Sequence, residues 1–161
     1  MTNTSLLEQI RDVSWADFAQ PEWNKPGDVE HAFELVLAAS DAASSDNAYN
    51  KIMFAIGNNH AGTYYPVIIP ALPFMEEILK VGQPWAKSTI VSALLDLYGS
   101  FEPEFERIDY HTSDEFRSQL LEMVQNTIAN FRGTLEILAT SAEIAAKDAR
   151  ELLQEISAKQ T

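Results

Sequence analysis

The apolar residues of this chain recur almost everywhere at the spacing of a helix face, and no stretch alternates convincingly as a strand. From Asp28, which is placed as an N-cap, Val29, Phe33, Val36 and Leu37 share one face. A second helix from about Ser45 carries Tyr49, Ile52, Met53 and Ile56 and stops at Gly57. A third runs from about Tyr65 to Val81 before Gly82; its apolar arc is wide, which predicts a central position. Pro84 opens a fourth that ends near Gly99. A fifth, long helix follows Ser113 with Phe116, Leu120, Val124, Phe131, Leu135 and Leu138 in its stripe, and Ser141 caps a sixth reaching Ile156. A further helix is expected over Ser5 to Val13. The pattern therefore predicts an all-α fold.

Length and composition narrow this further. The 161 residues suit one domain spanning 1–161, large enough to bury a core without disulfides or metals. The chain has no cysteine, which excludes disulfides, zinc–thiolate sites and thiol nucleophiles. The N-terminus has no basic region followed by an apolar run, and the longest apolar stretch, Tyr64 to Met75, holds three prolines. The expectation is a soluble, cytoplasmic protein that does not enter membrane.

Helices one, three and five begin near Asp28, Pro66 and Ser113, intervals close to the roughly 40–47-residue period of two-helix repeats. Three such pairs form a short right-handed superhelix with the N-terminal helix over one end; an irregular bundle is the competing architecture. The segment Asn58-Asn59-His60-Ala61-Gly62-Thr63-Tyr64-Tyr65-Pro66, followed by Pro70-Ala71-Leu72-Pro73-Phe74-Met75, bears on this choice. It resembles a His-x-Gly-Thr-x-Tyr-Pro and Pro-Ala-x-Pro-Phe-Leu pattern of bacterial HEAT-like helical-repeat proteins, with Met75 where leucine is usual. The resemblance implies a HEAT-like α-α superhelix. It also implies an immunity function, because several members sit beside polymorphic or contact-dependent growth inhibition toxins.

The same segment makes physical sense as a corner. Gly62 lets the chain reverse, Thr63 is placed to cap the next helix, and Pro66 suits its first turn. Pro70 and Pro73 should kink or restart that helix. Asn59 and His60 are expected to hold the corner, His60 by a hydrogen bond across it.

Little in the chain points to catalysis. It contains no nucleophile elbow, phosphate-binding glycine loop or zinc-protease helix, and His31, His60 and His111 lie far apart. Glu30, His31 and Glu34 share a helix, but their order reverses the carboxylate-bridged metal pattern and is not repeated. No catalytic residue, metal or cofactor is expected, and the chain reads as a binding protein rather than an enzyme.

Charge says what it would bind. The formal net charge is −13, beyond the magnitude of about 2–8 that solubility alone needs in a small domain. Such a field repels nucleic acid and anionic membrane and attracts basic surfaces. Nine acids stand between Glu8 and Asp46 against Arg11 and Lys25, with Trp15, Phe18 and Trp23 expected to seal the end of the core. A second concentration, from Phe101 to Glu115, holds six acids and one arginine interleaved with aromatics. Glu102, Glu104, Glu106, Asp109, Asp114 and Glu115 are the candidate steering charges, with Phe105 and Tyr110 as anchors. The alternative is that these aromatics only pin the loop to the fold. The leading reading is an immunity protein that neutralises a toxin with a basic active-site surface; the rival is a HEAT-like scaffold or regulatory adaptor for a cellular protein.

Overall fold

A computed structural model describes residues 2–104 and 112–161, and within them the fold is all-α. The helices are α1 (Asn3–Arg11), α2 (Asp28–Ala38), α3 (Ala42–Ile56), α4 (Ile68–Val81), α5 (Pro84–Gly99), α6 (Thr112–Asn130), α7 (Arg132–Ala139) and α8 (Ala146–Lys159). Three two-residue strands accompany them: β1 (Gly57–Asn58), β2 (Thr63–Tyr64) and β3 (Glu102–Pro103). They are too short for alternation to show, so the helical reading of the chain passes over them.

Local chemistry sets the helix ends. Asp41 and Ser44 form a capping box that starts α3 three residues before the expected Ser45. Gly27, at φ 90°, is the N-cap of α2, so Asp28 becomes its first residue and accepts the Lys25 N–H at 2.9 Å. α4 runs unbroken through both prolines; Pro70 falls in its first turn, where no intrahelical donor is required, and only Pro73 forfeits a bond. The helix expected after Ser113 divides at Phe131 into α6 and α7. The buried stripe keeps its phase through that break, which falls beside Asn130 and Gly133, both weak helix formers. Ser141 does not cap α8. Its hydroxyl donates to the Leu138 carbonyl at 2.6 Å and accepts the Glu143 N–H, closing the turn after α7.

Packing follows chain order. α2 lies on α3, α4 on α5, and α7 on α8, while α5 is also flanked by α3 and α8. The centre is therefore α5 rather than α4, and Ala86, Ile90, Val91, Ala93, Leu94 and Leu97 are all fully buried along it. α1 fits between α2 and α4, and α6 rests on α4 and α5. Trp15 seals this end of the core against Phe33 and Phe74, its indole donating to the Ile10 carbonyl at 2.8 Å. Trp23 does not join it and is 49% exposed.

Candidate partner-binding edge

The three short strands bring together the corner and the start of the acidic segment, with Thr63 and Glu104 41 residues apart in sequence. β1 pairs antiparallel with β2, and β2 pairs parallel with β3 in the register Thr63↔Glu102, Tyr64↔Pro103. The Glu102 N–H donates to the Gly62 carbonyl at 3.0 Å and the Glu104 N–H to the Tyr64 carbonyl at 2.7 Å. Pro103 favours this arrangement, because a residue before proline is pushed to extended backbone. At Gly57 the strands approach so closely that a Cβ would meet the Thr63 carbonyl oxygen at 2.0 Å. Gly62, at φ 69°, makes the reversal between β1 and β2 as expected.

The corner is fastened differently from the sequence expectation. Asn58, not His60, holds the turn: its side-chain oxygen accepts the N–H groups of His60 at 3.1 Å and Ala61 at 3.2 Å. His60 is exposed and packs edge-on against Phe54, with ring centroids 5.0 Å apart. Asn59 donates to Asn50 at 3.4 Å. Thr63 caps no helix, since α4 starts at Ile68, beyond Pro66; instead its hydroxyl donates to the Glu104 carboxylate. The extended chain at β2 carries Thr63 away from the helix end, towards β3.

This changes what the acids do. Glu104 is half-buried and engaged by Thr63, so it staples the edge. Glu102 is exposed and ion-paired with Arg117 of α6. Asp114 and Glu115 are exposed in the first turn of α6, and Phe116 beside them is 53% exposed. Phe101 packs partly buried on the core near Gly62. Phe105, Glu106, Asp109 and Tyr110 lie outside the described residues. Tyr64 is fully buried under the edge, and its hydroxyl has no hydrogen-bond partner among the described residues. Burial foremost, and then the Glu102 charge, raise its pKa.

Sequence reasoning missed the support on the other side of the corner. The last carbonyls of α3 have no intrahelical donor, and side chains from the 20–24 segment satisfy them. The Trp23 indole donates to Phe54 at 2.9 Å, and the Asn24 amide to Ala55 at 2.7 Å. The signal was present in Trp23-Asn24, two donors between prolines, but nothing in one sequence says which carbonyls they reach.

The possible metal helix is otherwise engaged. His31 lies 3.6 Å from Glu34, whose carboxylate accepts from Arg11 at 2.6 Å; that hydrogen bond is the leading cause of the lowered Glu34 pKa. Among the described residues, no group of three or more His, Asp or Glu side chains is placed to hold a metal ion, and no helix is long and apolar enough to cross a membrane. Compared with known proteins, the chain matches no family model, no curated protein and no solved structure.

Proposed function

We propose that the chain is an immunity protein, a non-enzymatic cytoplasmic inhibitor that binds a cognate bacterial toxin through the edge formed by the corner, β3 and the start of α6. The observation that carries this reading is the hydrogen-bonded attachment of β3 to β2, which holds Glu102 and Glu104 in one place on a chain of net charge −13. An edge ordered before contact has less entropy to lose on binding. Exposed Asp114 and Glu115 supply charge for steering a basic surface, Glu102 being paired with Arg117, and Phe116 supplies apolar area beside them. A toxin that cleaves nucleic acid offers such a basic surface where its phosphate substrate binds. The reading predicts that the chain co-elutes at low salt with a toxin domain encoded next to it, and that association slows as salt rises. Failure of the purified pair to co-elute at low salt overturns it.

A second reading, a HEAT-like adaptor for a cellular protein, is favoured by a different surface. A hollow of about 320 Å³ between α4, α5 and α7 is lined by Leu79, Leu138 and Ile137, the last 76% exposed. Ile137→Asp would weaken an adaptor's partner and leave a toxin bound at the edge unaffected.

A further inference from the structure

We propose that the hollow beside Trp23 receives a cationic side chain, an arginine above all, from the surface of a basic protein partner. This deepens the binding reading above and rests on it. Three rings build the hollow. Trp23 and Phe54 have centroids 6.4 Å apart at 71°, and Phe54 and His60 have centroids 5.0 Å apart at 69°. With Asn58 they line a shallow space of about 390 Å³.

Trp23 is fixed there. Its one polar atom is satisfied inside the chain by the Phe54 carbonyl, so the ring stands half exposed without needing an external hydrogen-bond partner. A large side chain held in one orientation at the surface loses little entropy when a partner covers it, and tryptophan is among the residues enriched at binding hot spots.

The lining chemistry selects the occupant. No charged side chain lines the hollow, and the Asn58 oxygen already accepts two backbone N–H groups. What remains are ring surfaces, whose negative quadrupole attracts a cation without requiring a carboxylate to lose its water. Exposed Glu22 adjoins Trp23, and the acidic field of the chain concentrates cations at its surface. Trp23 and Phe54 also line a second hollow of about 190 Å³ together with Asp28, His31 and Lys51, and the Lys51 charge disfavours a cation there. Arginine suits the ring-lined side better than lysine, because its flat guanidinium is weakly hydrated and stacks on aromatic surfaces. Asn58 and His60 belong to the corner whose strand β2 also pairs with β3, which ties the hollow and the acidic edge to one three-stranded sheet.

The test follows the indole N–H resonances of the full chain while N-acetyl-arginine amide is added, with Trp15 and Trp85 as internal references. The expected result is a saturable movement of the Trp23 signal, with the neutral isostere N-acetyl-citrulline amide binding about tenfold more weakly. Trp23→Leu should abolish the response of His60 while leaving the Trp15 signal in place. Should that variant lose its fold, His60→Ala removes one wall from an exposed position and should still weaken arginine binding. Equal responses to arginine and citrulline, or equal movement of all three indoles, would overturn the proposal. Against a co-eluting toxin domain, Trp23→Leu should weaken the complex about thirtyfold, mainly through faster dissociation. An unchanged complex discards the hollow and keeps the immunity reading. Absence of any complex discards the immunity reading, while the arginine titration still decides the hollow.

Discussion

The seam between α3 and α5 and the edge built by β1, β2 and β3 meet at the end of α3, yet opposite forces hold them. The seam is a side-chain structure. Ala48, Ile52, Ile90 and Leu94 are fully buried in it, and its polar contacts are few. Thr89 donates its hydroxyl proton to the Trp85 carbonyl, so the 2.7 Å contact with Ser45 is made by the Ser45 proton. Tyr49 closes the outer rim on Asp96. The edge is held largely by backbone: the Glu102 and Glu104 N–H groups donate to the Gly62 and Tyr64 carbonyls and the Tyr65 N–H to the Ile56 carbonyl, with the Thr63 hydroxyl on the Glu104 carboxylate, while the side chains of Glu102 and His60 are exposed. The seam supplies stability, and the edge supplies a shaped, charged rim whose cost of ordering has been met in the fold.

That contrast is open to being broken, starting with the largest effect. Ile90→Ala at the centre of α5 should cost about 2–5 kcal/mol in denaturant unfolding and leave the edge amides in their native pattern until the whole molecule opens. A smaller cost would mean α5 is not the centre of the core. Gly57→Ala forces a methyl into the Thr63 carbonyl and should cost about 2 kcal/mol. Its signature is local: the Glu102 and Glu104 amides lose hydrogen-exchange protection well below global unfolding. Retained protection at those two amides would show that β3 does not depend on the close approach at Gly57.

Within the seam, Thr89→Val leaves the buried Ser45 hydroxyl without its acceptor and should cost about 1 kcal/mol, whereas Ser45→Ala with Thr89→Val should cost less than the sum of the two. Strict additivity would dissolve the pair as a unit. The smallest effect is expected at Tyr64, where Tyr64→Phe removes an unpartnered hydroxyl and should shift neutral-pH stability by less than about 0.5 kcal/mol. Its consequence appears in alkali. Burial raises the Tyr64 pKa, so above pH about 10 the unfolded chain releases a proton that the folded chain keeps, and stability falls as pH rises. Tyr64→Phe should lose less stability than the parent above that pH; equal losses would place the alkaline sensitivity in Tyr49 and Tyr98, whose pKa values are also raised chiefly by burial.

The same contrast explains what was legible in the sequence. The seam is written in a 3.6-residue period, so the helices and their glycine and proline boundaries could be read directly, with α5 matching from Pro84 to Gly99. The break at Phe131 escaped because the apolar stripe passes through it in phase. The edge escaped because two-residue strands carry no period, and because the pairing of Thr63 with Glu102 depends on where helices leave the chain, which no local pattern encodes. Glu104 read as a steering charge for the same reason: a carboxylate beside aromatics looks free until the hydroxyl that it binds is located. Trp23 read as a core plug because a tryptophan near a helical face usually is one, and its bond to the Phe54 carbonyl was invisible.

We propose that the acidic edge captures a basic toxin surface. It is tested most directly by measuring the association rate with the neighbouring toxin domain over a range of ionic strength, for the parent and for Asp114→Lys with Glu115→Lys. The prediction is a rate that falls steeply with salt in the parent, is slower and flatter in the charge-reversed protein, and leaves dissociation little changed. No complex at any salt, or the same salt dependence in both proteins, would contradict it.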